Sequence, residues 1–177
     1  LVRVAKFMCH VEEHSPFKKE ISTPVRQMFA ALAPYMAFPF RRLLGNLWLF
    51  GPLLKVALPA LSPKAGAMLH TTCAFTMAQG SAAGNVIPES ASVVANLRFI
   101  MHQNMEQSIA AIKAVADKYD LETELLYGND CSPYVDINAP RFQYVVDCVR
   151  KVYPEAGVAP YVMIGGTDAR HFSPICD

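Results

Sequence analysis

The sequence predicts an α+β chain organised on a split βαβ pattern, and two changes of hydrophobic period carry that prediction. Leu1, Val4, Met8 and Val11 recur at helical spacing, residues 72–78 and 91–99 alternate with a period of two, and residues 104–119 return to helical spacing. Helix, strand, strand, helix is the middle of a split βαβ unit.

The elements follow in order. The first helix opens at Leu1 itself, so the chain is expected to start in mid-element, as a piece of a larger protein would. From Pro24 to Pro63 the chain turns strongly apolar. Arg41, Arg42 and Lys55, with Pro34, Pro39, Pro52 and Pro59, interrupt this stretch before it reaches the ~18 uncharged residues that a membrane span requires. It reads as short helices packed on a domain surface, and a membrane partner is not expected; the alternative is a greasy cap for an apolar substrate or a lipid surface.

In the first strand Cys73, Phe75 and Met77 point one way, and Thr72, Ala74, Thr76 and Ala78 the other. In the second, Ala91, Val93, Ala95, Leu97 and Phe99 share one face, and Ser92, Val94, Asn96 and Arg98 the opposite one. The glycine-containing connection between them predicts an antiparallel hairpin. Asn104, with Gln107 three residues on, predicts a helix cap, and Met105, Ile109, Ile112, Val115 and Tyr119 its apolar stripe. Residues 122–127, ETELLY, read as another strand, which leaves the pattern short of its first strand. A polar linker follows Gly128. Pro140 then suits the first turn of a helix striped by Phe142, Val145, Val146, Val149 and Val152. Residues 158–164, VAPYVMI, lack alternation and read as an inner parallel strand that delivers the loop GGTDARHF.

Composition excludes several classes. A chain that is 53% hydrophobic and 18% charged is too apolar for disorder, and a net charge of +1 without clustering gives no footprint for nucleic acid. The five cysteines, Cys9, Cys73, Cys131, Cys148 and Cys176, are odd in number and irregularly spaced. They fit neither a disulfide framework nor a zinc ribbon, and read as thiols of a reducing, cytoplasmic compartment.

With GNVIPESASVVANLRF and GGTDARHF in place, the chain resembles metallopeptidase family 20, the dinuclear zinc amidohydrolases that include aminoacylase, glutamate carboxypeptidase, acetylornithine deacetylase and succinyl-diaminopimelate desuccinylase. The apolar insertion brings it nearest the carboxypeptidase S and N-fatty-acyl-amino-acid hydrolase branch. The resemblance implies a ferredoxin-like lid over residues 1–127, with the insertion at about 24–63, and a partial α/β zinc-peptidase domain over 128–177. It further implies a homodimer formed through the lid, and a small N-acyl amino acid or short peptide with a free carboxylate as substrate. Two zinc ions belong to the parent enzyme; none is expected on this chain, which by itself is expected to be inactive. His10, His14, His70 and His102 are not offered as replacement ligands, because scattered histidines are more often surface or satisfied core residues.

The candidate substrate-binding residues are Asn85, Arg98, Gly165, Gly166, Thr167 and Arg170. Arg98, opposite the apolar face of its strand, can make a bidentate pair with a carboxylate; an ordinary exposed sheet arginine is the alternative. Asn85 can donate its amide to the substrate, or it serves a left-handed turn. Gly165 and Gly166 let the backbone approach a ligand, Thr167 or Asp168 can cap the helix that follows, and Arg170 can add a charge-assisted hydrogen bond. A plain strand-to-helix turn is the alternative there, and His171 has no derivable role. Two other function classes stand beside the amidohydrolase: a dimerisation or interaction module without chemistry, and a lipid-surface cap.

Overall fold

A computed structural model describes residues 1–163, 165–172 and 175, with Arg170 described in its backbone only. Elements run α1 (Val2–Glu13), α2 (Thr23–Leu32), α3 (Phe40–Gly45), α4 (Leu47–Leu61), α5 (Pro63–Ala67), β1 (Thr72–Gln79), β2 (Ser92–Arg98), α6 (Met105–Ala116), α7 (Pro140–Val152) and α8 (Ala169–Phe172). The fold is α+β, of the ferredoxin-like lid type. The chain divides into two compact units: unit 1 holds Leu1–Lys18 and His70–Cys131, and unit 2 holds Lys19–Leu69 and Ser132–Asp177.

In unit 1, β1 and β2 form an antiparallel pair, and α1 and α6 pack against one face of it, with Leu1 of the expected α1 stripe exposed and Phe7 buried in addition to it. Phe7, Val11, Phe17, Ile112, Val115 and Ala116 make the buried centre, with Cys73, Phe75, Val93, Ala95 and Leu97 of the sheet packed against it. Phe7 meets Phe75 edge to face, with ring centroids 5.7 Å apart. Each such side chain withdrawn from water is worth about 1.5–3 kcal/mol, so this face sets the orientation of the hairpin.

The predicted alternation of β2 is observed, and that of β1 holds only to Phe75. A bulge between Phe75 and Met77 shifts the register, so that Ala78 opposes Val93 and Met77 opposes Val94. Met77, expected on the core face, is therefore turned to the other one and is 56% exposed.

α6 starts as expected, with Asn104 Oδ1 accepting from the Gln107 amide at 2.9 Å. The turn before it is tied to the end of the α1 segment. The Lys18 amide donates to Gln103 Oε1 at 2.8 Å, and His102 Nε2 donates to the Lys18 carbonyl at 2.9 Å.

Residues 122–127 do not form the expected strand. A strand exists through its ladder, and among the described residues the sheet contains only β1 and β2. Leu125, Leu126 and Tyr127 are accordingly exposed.

Unit 2 is helical. Ile21, Val25, Met28, Phe29, Leu47, Leu54 and Leu69 form its core, to which the half-buried Ala159 and Val162 add. Residues 158–163 do not form the inner parallel strand that their composition predicts, since no neighbouring strand is described. Ile164, the last of that run, lies outside the described residues. α7 begins with Pro140 at its first turn as expected, yet of its apolar stripe only Val146 is buried, and Val145 and Val152 are exposed. Among the described residues of unit 2 the stripe has no sheet to lie on.

Candidate functional site

Arg98 closes β2, and its Cα partner across the ladder is Thr72 at the start of β1. Because Leu97 and Ala95 pack on the helices, alternation turns Arg98, Asn96 and Val94 to the opposite face, where Arg98 is exposed. This is the placement the sequence predicts. The ladder end that carries Arg98 is anchored from below. Ser108 on α6, fully buried, donates to the Gln103 carbonyl at 3.1 Å and shares a 3.1 Å hydrogen bond with Thr71, the residue before β1. Sequence reasoning missed this pair, because nothing local marks two small hydroxyl residues as partners across the fold.

Asn85 is exposed in the connection between the strands. The turn leading to it is braced by Ser81 Oγ, which donates to the Ala83 carbonyl at 3.0 Å and accepts from the Ala83 amide at 3.2 Å. Among the described residues only Asp120 has a positive φ outside glycine, so Asn85 is not held in a left-handed turn. The conformational explanation for an asparagine at this position is thereby removed.

Asn85 and Arg98 stand at opposite ends of the hairpin. The connection that holds Asn85 joins β2 at Ser92, and six residue steps of strand at about 3.3 Å each put Arg98 about 20 Å further along.

The remaining candidates belong to unit 2. Gly165 is half-buried, and Gly166 and Thr167 are exposed. A Cβ built on Gly166 meets nothing within 4 Å, and no glycine among the described residues has a positive φ, so the backbone there is open rather than strained. α8 is a single turn of four residues, with the His171 amide bonded to the Asp168 carbonyl at 2.9 Å. That is too short for the expected anion-favouring helix end to have much effect. The Arg170 side chain lies outside the described residues.

His10 and His70 are held by hydrogen bonds within unit 1. His10 Nδ1 is 2.9 Å from Tyr119 Oη, and His70 Nδ1 is 2.7 Å from the Thr71 carbonyl. His14 is exposed, 4.0 Å from Glu13 Oε2. Among the described residues no three His, Cys, Asp or Glu gather as a ligand set. These residues do not fit a two-zinc centre. Burial, reinforced by the Glu12 carboxylate, pushes the Cys73 thiol up to about 11. Burial together with Asp130 does the same to Cys131, also to about 11. Neither is poised as a nucleophile. No described helix is long and apolar enough to cross a membrane.

Comparison with known proteins agrees with this geometry. The Peptidase dimerisation domain of the M20 peptidases matches residues 14–124. The N-fatty-acyl-amino acid synthase/hydrolase of Xenopus tropicalis is 30% identical over 150 residues, which cover 84% of this chain and 29% of that protein. The probable carboxypeptidase S-like 2 of Dictyostelium discoideum is 26% identical over 170 residues, covering 96% and 32%. The succinyl-diaminopimelate desuccinylase of Nitrosospira multiformis is 29% identical over 99 residues, covering 55% and 25%. The chain thus spans less than a third of the length of these relatives. No solved structure matches it. A hairpin packed by two helices, an outward strand arginine and a dimerisation-domain match over the same residues place the chain in one family: it belongs to the M20 peptidases, and carries their dimerisation domain over residues 14–124.

Proposed function

We propose that this chain is the dimerising, carboxylate-reading part of an amidohydrolase that cleaves N-acyl amino acids or short peptides with a free carboxylate. The observation that carries the reading is the position of Arg98, on the sheet face turned away from α1 and α6, at a ladder end fixed by the buried Thr71–Ser108 pair. A guanidinium there meets a carboxylate with two parallel N–H···O bonds, which fixes the orientation of the substrate as well as holding it. Asn85 offers an amide for a second substrate contact. Since about 20 Å of strand lies between Arg98 and the connection that holds Asn85, we infer that one small substrate is served by Asn85 of one protomer and Arg98 of the other. Dimerisation through unit 1 is on this reading a condition of the site. The open backbone at Gly165, Gly166 and Thr167, with Arg170, forms a further subsite in unit 2.

The hydrolysis itself needs two zinc ions in the whole enzyme. This chain's described residues supply no ligand set for them, and its contribution is to bind and orient. In the polypeptide that carries the catalytic segments of its relatives, Arg98→Ala should lower kcat/KM by about 30-fold, the scale of a lost charge-assisted pair of about 2 kcal/mol, with unchanged circular dichroism. A fall of less than about threefold returns Arg98 to the ordinary surface arginines.

A further inference from the structure

The apolar insertion buries one side of its longest helix and leaves the other uncovered. On α4, Leu47, Gly51 and Leu54 face the unit 2 core, whereas Trp48, Leu49, Leu53 and Val56 are exposed on the opposite side of the same helix. Trp48 is 77% and Val56 72% exposed. Phe38 and Phe40, before and at the start of α3, are also exposed, at 76% and 52%. Single exposed apolar residues are normal, but a helix apolar on both faces with its outer face uncovered is built to meet a second apolar phase.

Charge identifies that phase. No Asp or Glu stands between Glu20 and Glu89, while Arg26, Arg41, Arg42, Lys55 and Lys64 fall in the same interval, in a chain whose overall charge is only +1. Arg41 and Arg42 are exposed, and the Arg42 guanidinium lies 5.8 Å from the centroid of the exposed Phe38 ring. Large apolar side chains interleaved with cations, along a stretch of chain that itself carries no acid, are the composition of an interfacial surface for anionic lipid; the acid that another segment brings to this region is Glu155, two residues before the Gly157 that lies against Tyr35. A polypeptide partner of mixed charge requires no such exclusion of acids. α4 does not span: its 15 residues reach about 22 Å, short of the ~30 Å hydrocarbon core, and Pro52 and Pro59 interrupt it.

We propose that the exposed apolar side chains of the insertion, Phe38, Phe40, Trp48, Leu49, Leu53 and Val56, together with the exposed Arg41 and Arg42, dock on an anionic phospholipid surface, with the aromatic and aliphatic side chains inserted below the headgroups. This is independent of the carboxylate reading, whose carrying observation is Arg98 in unit 1.

Trp48 is the only tryptophan of the chain and reports the event directly. The protein is titrated with large unilamellar vesicles of phosphatidylcholine containing 30% phosphatidylserine, at about 0.1 M salt, where screening over ~10 Å still permits electrostatic attraction. Emission of Trp48 should shift to shorter wavelength, acyl-chain-brominated lipid should quench it, and the protein should float with the vesicles. Arg41→Gln with Arg42→Gln should weaken partitioning by about 25-fold, at roughly fivefold for each cation. Leu53→Asp with Val56→Asp should abolish it, and since all four positions are exposed or outward, circular dichroism should not change. Absence of flotation and of quenching at millimolar lipid overturns the proposal. So does equal binding to pure phosphatidylcholine, and so does a shift produced by a monomeric N-acyl amino acid but not by vesicles, which would make the face a pocket for one acyl chain.

Discussion

Thr71 donates its hydroxyl to Ser108 Oγ at 3.1 Å in the interior of unit 1, one residue before the Thr72–Arg98 pair that begins the ladder. The direction follows from proton counting: Ser108 has one hydroxyl hydrogen, and it goes to the Gln103 carbonyl at 3.1 Å. Both residues are fully buried, so the bond links the Arg98 end of the sheet to α6 where no water competes.

Removing the two hydroxyls should therefore not be equivalent. Thr71→Val deletes one donor and leaves Ser108 bonded to Gln103, at a cost of about 1 kcal/mol; Ser108→Ala strands both the Thr71 hydroxyl and the Gln103 carbonyl, at about 2 kcal/mol or more. Urea denaturation of the two variants measures the difference. Equal losses would mean that the proton runs the other way.

The thiols should respond to pH in a defined window. Cys73 and Cys131 titrate near about 11, raised first by burial and then by Glu12 and Asp130 respectively, while Cys9 is exposed. A raised folded-state value means that the thiolate is disfavoured in the native protein. The associated stability is full below the ordinary thiol range and is lost as pH rises from about 9 through about 11. Iodoacetamide at pH 8 should label Cys9 and leave Cys73 and Cys131 slow, as peptide mapping will show. Rapid modification of Cys73 in the native protein at that pH contradicts its placement.

What the sequence discloses is what local chemistry decides. The Asn104 cap is an interaction over three residues, and the strand alternation that turns Arg98 away from Leu97 and Ala95 is a property of β2 alone, so both can be read from residues a few positions apart. Met77 is misplaced by the alternation because the bulge before it depends on how β1 pairs with β2. Residues 122–127 and 158–163 carry strand-like composition but find no partner strand among the described residues, and propensity without a ladder does not make a strand. Asn85 invites a turn explanation from its residue type, and only the backbone angle removes it. The Thr71–Ser108 contact joins positions 37 apart, beyond the reach of any local pattern.

Assembly is the next expectation. β1 carries no Lys, Arg, Asp, Glu or Pro, and among the described residues neither outer edge of the sheet has a partner strand. On β1 the edge protection is the bulge at Phe75–Met77, so strand pairing there is confined to either side of it and helix packing shares the interface. Light scattering at micromolar concentration should give twice 19.5 kDa, with a two-fold contact through unit 1 of about 800 Å² or more per partner.

Substrate recognition should divide between binding and chemistry in a particular way. If Asn85 contacts the substrate, Asn85→Ala should lower kcat/KM by about tenfold, a neutral hydrogen bond being worth less than the charge-assisted pair of Arg98. Arg98→Lys should recover only part of the Arg98→Ala loss, because an ammonium cannot make the bidentate fork. Full recovery by lysine would reduce Arg98 to a point charge.

The division of one site between two protomers is the central claim, and subunit mixing tests it most directly. In the polypeptide that carries the catalytic segments, Asn85→Ala and Arg98→Ala are each purified, mixed at equal concentration, and allowed to exchange. A mixed dimer holds both lesions at one of its sites and neither at the other, so random exchange makes half of the dimers hybrid and leaves each with one intact site. Activity should then rise on mixing to about a quarter of the wild-type value, above the level of either variant alone. A mixture no more active than the average of its components, once exchange has been verified with a tagged subunit, contradicts the account.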